Sequence, residues 1–355
     1  MRIVDVAVTD LTIPLTEPFG IATGAQASAD NVLVTIILDD GTRGLGEAAP
    51  FPAVNGETRE LARAALAKVR LVDRDPREWR LIASELAREI PESASARCAV
   101  ETAVLDAVCR RAQLPLWAFF GGAARTLTTD MTVPTGDAAH AARSAQSIAA
   151  RGFATLKLKV GGAPLSVDIE RIAAVHRAAP GCALLIDANG GMQSVAAALE
   201  LLAQAQRLGA NVVAFEQPLD KQDVAGQRAL YERSPVRIVA DESSSTIADV
   251  VRIASDKLAH AVNLKIMKSG IAQALDMALT ARAFGLALMI GGMVESEIAM
   301  TTSACIAAGL GGFFAVDLDT HLFLHDSPVR GGVHEMGPHL DLSAIRAGHG
   351  CTIAG

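Results

Sequence analysis

The chain has 355 residues, half of them hydrophobic and 20% charged, which is ample apolar material for a large core. Its net charge of −7 comes without a Lys/Arg cluster or basic–aromatic interleaving, which excludes a nucleic-acid partner held by charge. No apolar run approaches the roughly 20 residues that cross a bilayer as a helix, so a membrane partner is not expected either. Five cysteines (Cys98, Cys109, Cys182, Cys305, Cys351) are scattered and form no Cys-x-x-Cys pair, so they read as buried free thiols.

The opening run "MRIVDVAVTDLTIPL" alternates polar and apolar residues and lacks the charged end, apolar stretch and cleavage site of a leader. It predicts a strand and a cytoplasmic protein. A second strand signal, "NVLVTIILDDGTRGLGEA", contains an Asp40-Gly41 turn and suggests a meander. Helical periodicity follows near 57–70, 76–89 and 93–112, completing an α+β unit by about residue 122, where "FFGGAAR" breaks the pattern. "GLGEAA" at 44–49 resembles a dinucleotide-binding turn, but Pro50 and Pro52 stand where a phosphate-binding helix should open. It reads as a loop with a tight turn.

From residue 123 to 324 short apolar strands alternate with Ala-rich helices. The strands are "TLTTDMTVP", "TLKLKV", "ALLIDAN", "VVAFEQP", "RIVADES", "AVNLKIM", "LALMIGGM" and "FFAVDLD". From Lys159 to Asp187, Glu216, Asp241 and Lys265 the steps are 28, 29, 25 and 24 residues, the length of one βα unit. Eight parallel strands at that spacing predict an α/β barrel rather than an open sheet. The stretch 325–355 resumes loop and short-strand character, and is expected to return to the first unit.

Asp187, Glu216 and Asp241 each stand at a strand end, where a barrel builds its active site. Three converging carboxylates call for a cation, and oxygen-only ligation suits Mg²⁺ first and Mn²⁺ second. A single strand-end acid is as readily a helix cap or turn residue; three in step with the repeat are not. Asn189, Gln217 and Glu242 beside them suit either supporting partners or loop positions.

Lysines on two strands flank the acids. Lys157 and Lys159 share one face of their strand. A second ammonium disfavours the charged form of the first, so Lys157 is expected to tune Lys159 toward a usable base. Lys265 lies on the strand beyond the acids. Alternation groups Asn263, Lys265 and Met267 on one face and places Lys268 on the other, past the strand, as a supporting residue. The bland reading has Lys157 and Lys159 in ion pairs inside the barrel and Lys265 paired with Asp241, without turnover.

These residues in this order closely resemble the enolase superfamily, and within it the muconate-lactonizing-enzyme subgroup: Lys-x-Lys, then "DAN", "EQP", "ADES" and "NLKIMKSG". The resemblance covers nearly the whole chain. It implies an N-terminal α+β capping domain (1–122), a modified (β/α)8-type barrel of (β/α)7β form (123–324) and a tail returning to the cap (325–355). It further implies that Asp187, Glu216 and Asp241 ligate Mg²⁺ and that Lys159 and Lys265 are the two acid/base groups of a racemase or epimerase.

Subgroup activities include cycloisomerases, o-succinylbenzoate synthases, N-acylamino acid racemases and dipeptide epimerases. The last strand decides between them: Asp317 and Asp319 look like the Asp-x-Asp with which dipeptide epimerases hold a free amino group, and a dianionic substrate would be repelled there. A capped turn is the bland alternative for that pair, and an inactive ligand-binding relative the bland alternative for the chain. Lys157 joins Asp317 and Asp319 in binding substrate. Ala-Glu epimerases place a cation in a mobile loop over the barrel. Here that loop, 16–30, carries only Glu17 and Asp30, so an L-Ala-X substrate with small or apolar X is expected. Barrel relatives of this type often assemble through the capping domain, which makes a homo-oligomer one expectation.

Overall fold

The computed structural model describes residues 1–21 and 24–354. β1 (Ile3–Ile21) and β2 (Gly24–Leu38) form a long antiparallel hairpin, and β3 (Arg43–Ala48) pairs with β2. Along β2, Val32, Val34, Ile36 and Leu38 are buried in alternation, as a one-sided sheet requires. The Asp40-Gly41 signal makes the expected turn: Gly41 adopts φ 83° and donates its N–H to the carbonyl of Leu38.

The stretch 16–30, expected as a loop, is instead paired backbone on both sides of residues 22–23, which lie outside the described residues. A bulge between Pro14 and Phe19 bends the first arm, because Pro lacks the N–H that would continue the ladder. That arm is laced to the segment after the last barrel strand: Thr16 Oγ1 donates to the Phe323 carbonyl and His325 N–H to that of Pro14. Near the tip, Gly20 packs against Thr135 at the barrel mouth.

The stretch "GLGEAA", expected as a loop, lies mostly in strand β3, and its glycines serve packing. A Cβ at Gly44 or Gly46 would overlap the backbone of Ala103 or Ala99, so β3 can rest directly on the helix Ala94–Arg111. That helix is buried on nearly every face, wedged between the antiparallel sheet and the barrel. Its Glu101 carboxylate accepts the N–H of Ala272 in the first turn of the barrel helix Ile271–Ala283.

The sequence string "TLTTDMTVP" is two strands, not one. β4 (Thr126–Thr128) pairs with a strand of the tail, and only β5 (Met131–Val133) enters the barrel. β6 (Thr155–Lys159), β7 (Ala183–Asp187), β8 (Val212–Glu216), β9 (Arg237–Ala240), β10 (Ala261–Leu264), β11 (Ala287–Gly291) and β12 (Phe313–Asp317) follow in order, each parallel to its neighbour. The result is a nearly closed eight-stranded (β/α)7β barrel with an antiparallel cap. Between β12 and β5 there is no ladder; isolated hydrogen bonds close the seam, Asp130 N–H to the Val316 carbonyl and Thr132 N–H to Asp319 Oδ2.

Alternation sorts each strand. Leu156, Leu158, Leu184, Ile186 and Phe215 face the helices, while Leu185, Ala214, Val239, Ala261 and Met289 form a small apolar plug inside the barrel. Polar residues stand above that plug. In the tail, β13 (Val329–Gly331) pairs with β16 (Cys351–Ile353), and β14 (His334–Met336) and β15 (His339–Asp341) extend β4. His349 N–H bonds Asp106 Oδ1 on the buried capping helix. All five cysteines are free and buried, and among the described residues no helix is long and apolar enough to cross a membrane.

Candidate active site

Register explains why the strand-end acids gather at one end of the barrel. Lys159 pairs with Asp187 and Asp187 with Glu216 across β6, β7 and β8, while Asp241 follows the end of β9. Parallel partners in register point the same way, here into the barrel mouth. Asp187, Glu216 and Asp241 are fully buried.

Four lysines balance them. Lys157 Nζ lies 2.6 Å from Asp317 Oδ2, 2.8 Å from Glu216 Oε2 and 3.0 Å from Asp187 Oδ2. Lys159 Nζ meets Asp187 Oδ2 at 2.7 Å and Asn189 Oδ1 at 3.2 Å. Lys265 Nζ meets Asp241 Oδ2 at 2.8 Å, and Lys268 Nζ meets Asp241 Oδ1 at 2.5 Å and the Asp241 carbonyl at 2.6 Å. Burial opposes the charges of Asp187, Asp241, Lys157 and Lys265. It raises the carboxyls of Asp187 and Asp241, but the adjacent ammonium groups outweigh it and hold both well below the carboxylate range. Burial likewise lowers Lys157 and Lys265, but the surrounding acids, Asp317 foremost for Lys157 and Asp241 for Lys265, hold both above the usual lysine value. Glu216 is pushed up to about 7 by burial and by the charge of Asp187.

The expected relation between Lys157 and Lys159 needs correction. Lys157 is no bare cation beside its neighbour, because three carboxylates surround its ammonium group. Alternation also fails after Leu264: Lys265 follows the strand, and Met267 sits in the helical turn Ile266–Ser269, its sulfur accepting the Ala49 N–H in the capping unit. Lys268, on the same turn, bends back to grip Asp241. The ion pairs of the bland reading are present, yet Lys159 and Lys265 also line one cavity together with Lys157, Asn189, Thr132, Asp317 and Asp319.

The residues left between support and loop have definite partners. Asn189, at φ 44°, donates its backbone N–H to Asp187 Oδ1 and its amide to Glu242 Oε1, linking Lys159 to Glu242. Gln217 Oε1 accepts the N–H groups of Asp241 and Ser243, fixing the backbone that carries Asp241. Asn263 donates to Glu216 Oε1 at 2.7 Å.

Asp317 and Asp319 do come together, joined by a carboxylate sequence reasoning missed. Asp130, Asp317 and Asp319 present oxygens within 4.8 Å of one another. Such a trio could hold a metal by spacing alone, but its protonation argues otherwise. Burial and the like charges of Asp317 and Asp319 push Asp130 well above the carboxylate range, and a neutral carboxylic acid is a poor metal ligand. The strand-end trio is likewise all oxygen, and its Asp187 and Asp241 stay ionised, which suits a hard cation.

Sequence reasoning also missed the apolar wall. Phe51 and Val54, from the short helical turn after "GLGEAAP", reach the cavity from the cap, and Met293 reaches it from the loop after β11. Glu47 holds that loop, accepting from Ser296 N–H, Ser296 Oγ and Ala299 N–H at the start of the helix Glu297–Leu310. No local pattern announces these contacts; Pro52, which suits the first position of a helical turn and opens this one, was the one available signal.

Residues 3–121 match the model of the mandelate racemase / muconate lactonizing enzyme N-terminal domain, and residues 139–354 that of the enolase C-terminal domain-like family. An aromatic dipeptide epimerase from Herpetosiphon aurantiacus is 47% identical over 346 residues, 97% of each chain. A mandelate racemase/muconate lactonizing enzyme structure from Sorangium cellulosum superposes with TM-score 0.95 at 53% identity, covering 99% of both chains. A dipeptide epimerase from Enterococcus faecalis, solved with Mg and L-Leu-L-Tyr, superposes with TM-score 0.94 at 29% identity, over 99% of this chain and 100% of that one. With both family models matched along nearly its whole length, the chain belongs to the mandelate racemase / muconate lactonizing enzyme family of the enolase-like fold.

Proposed function

We propose that this protein is a Mg²⁺-dependent dipeptide epimerase that inverts the α-carbon of the C-terminal residue by two-base proton transfer. One observation carries the reading: a single cavity is lined by two buried lysines, Lys159 on β6 and Lys265 just past β10, and by the acid pair Asp317 and Asp319. Asp187, Glu216 and Asp241 would hold the metal, which, when bound, supplies the positive charge that stabilises a carboxylate gaining a second negative charge. Mn²⁺ is the second choice.

The chain's own residues then divide the work. Asp317 and Asp319 take the substrate's free ammonium, and this fixes which carbon lies between the lysines. One lysine removes the α-proton and the other returns a proton to the opposite face. Lys157 offers its ammonium to the substrate's carboxylate side. Asn189 and Glu242 steady Lys159, and Lys268 keeps Asp241 in place. The capping turn and Met293 present apolar surface to the substrate, which suits an L-Ala-X dipeptide whose X is apolar, aromatic residues included. The relative from Herpetosiphon, named for aromatic dipeptides, supports that choice.

The test is incubation with Mg²⁺ and a dipeptide panel in deuterated water, read by mass. One deuterium gained at the C-terminal residue of Ala-Leu, Ala-Phe or Ala-Met is expected, and no exchange with any dipeptide overturns the reading. Preference for Ala-Glu by more than about tenfold overturns the side-chain assignment alone. The paired D317N and D319N substitutions separate N-acylamino acid racemisation: they abolish turnover of free-amino dipeptides while sparing any turnover of N-acylated amino acids.

A further inference from the structure

Asp130 has no place in the two-base reading, yet its surroundings are unusual. Its side chain is 4% exposed, and among the described residues neither carboxyl oxygen meets an N–H or O–H donor. Such a group costs several kcal/mol if ionised without a partner. What faces it is carboxylate: Asp317 within hydrogen-bonding reach and Asp319 within the same 4.8 Å cluster, with the Lys157 ammonium beyond.

The backbone around Asp130 is fixed. Its N–H donates to the Val316 carbonyl at 3.0 Å, Thr129 Oγ1 accepts the Leu318 N–H at 3.0 Å, and Thr132 N–H donates to Asp319 Oδ2 at 2.6 Å. Residues on both sides of Asp317 are thus held by Thr129 and Asp130, which keeps the two backbones side by side. Two carboxylates in contact with no donor between them cannot both be ionised; one proton must lie between them. Asp317 is the partner already matched to a cation, with Lys157 Nζ at 2.6 Å. The proton therefore belongs to Asp130.

We propose that Asp130 is a positioning residue of the amino-group subsite, holding a proton that it donates to Asp317 so that this carboxylate is aimed between Lys157 and the ammonium of the substrate. This rests on the reading of Asp317 and Asp319 as that subsite. Asp130 itself lines the cavity at the opposite end of the barrel, with Thr155, Arg237 and Phe314, and acts on substrate only through Asp317.

Steady-state kinetics of D130A and D130N with L-Ala-L-Leu, with an infrared difference spectrum of wild type against D130N, test the assignment. The loss of a charge-assisted hydrogen bond predicts a KM raised about tenfold or more in D130A, with kcat within about threefold. D130N keeps an N–H donor toward Asp317 and returns KM to within about threefold of wild type. The difference spectrum shows the carbonyl stretch of a protonated carboxylic acid in wild type that D130N lacks. D130N as impaired as D130A, both variants unchanged, or a missing band overturns the proposal. The spectrum needs no turnover and D130N no cavity, so the assignment stays readable if D130A fails to fold. A band present in a protein that exchanges no dipeptide α-proton sinks the epimerase reading and leaves the Asp130–Asp317 proton in place.

Discussion

Lys157 and Asp317 are joined across the barrel mouth by an ion pair of 2.6 Å, linking β6 to β12 beside the seam that has no backbone ladder. The same ammonium serves Glu216 and Asp187. Removing one partner of a buried pair leaves uncompensated charge, so K157M is expected to lose about 3–5 kcal/mol of stability. Denaturant unfolding at neutral pH measures it; a loss below about 1 kcal/mol would show that the three acids do not depend on this cation.

Lys159 and Lys265, proposed as one base for each face of the substrate, make separable predictions. K159A and K265A should each lower epimerisation by about 10²–10⁴-fold, while each retains α-proton exchange from only one of the two epimers. Proton NMR in deuterated water, started from each epimer in turn, reads this. Exchange from both epimers in either variant argues against one lysine per face.

Lys268 binds both the side chain and the carbonyl of Asp241. Its replacement in K268M should weaken Mg²⁺ binding about 10–100-fold, as loss of a group orienting a metal ligand does. Titration calorimetry of Mg²⁺ against both proteins checks it, and an unchanged affinity would place Asp241 outside the metal site.

Gly46 tests the packing of cap on helix. G46A puts a methyl group into the backbone of Ala99 and should cost about 1–3 kcal/mol. Thermal unfolding decides; a neutral substitution would mean that β3 and the helix can move apart freely.

Glu101 gives the cap–barrel contact a pH dependence. Burial, opposed by the N–H groups of Ala272 and Ile271, pushes its carboxyl up from 4.5 to about 7. The folded state then holds the proton more tightly than the unfolded chain. Its contribution to stability is complete below about pH 4.5 and is lost as pH rises toward 7, about 3 kcal/mol in all. E101Q cannot titrate, so the stability difference between wild type and E101Q should shift against wild type over that window. Parallel unfolding curves at pH 5 and 8 measure it, and a constant difference would remove Glu101 as the cause.

The barrel, its capping unit and the strand-end acids were legible in the sequence because their physics is local and periodic. A βα repeat of 24–29 residues and strict alternation carry Lys157, Lys159, Asp187 and Glu216 to one inner face, whatever else the chain does. Asp130 was not legible: it lies in "TTDMT", where two strands meet, and its significance comes from residues 187 and 189 positions away across the seam. Nor were Phe51, Val54 and the turn that carries Met267, which depend on how the cap sits against the barrel. Lys157 marks the boundary. Its strand and its face follow from the spacing alone, but only the folded barrel sets its ammonium among three carboxylates, because charge in a buried site is decided by neighbours brought from far along the chain.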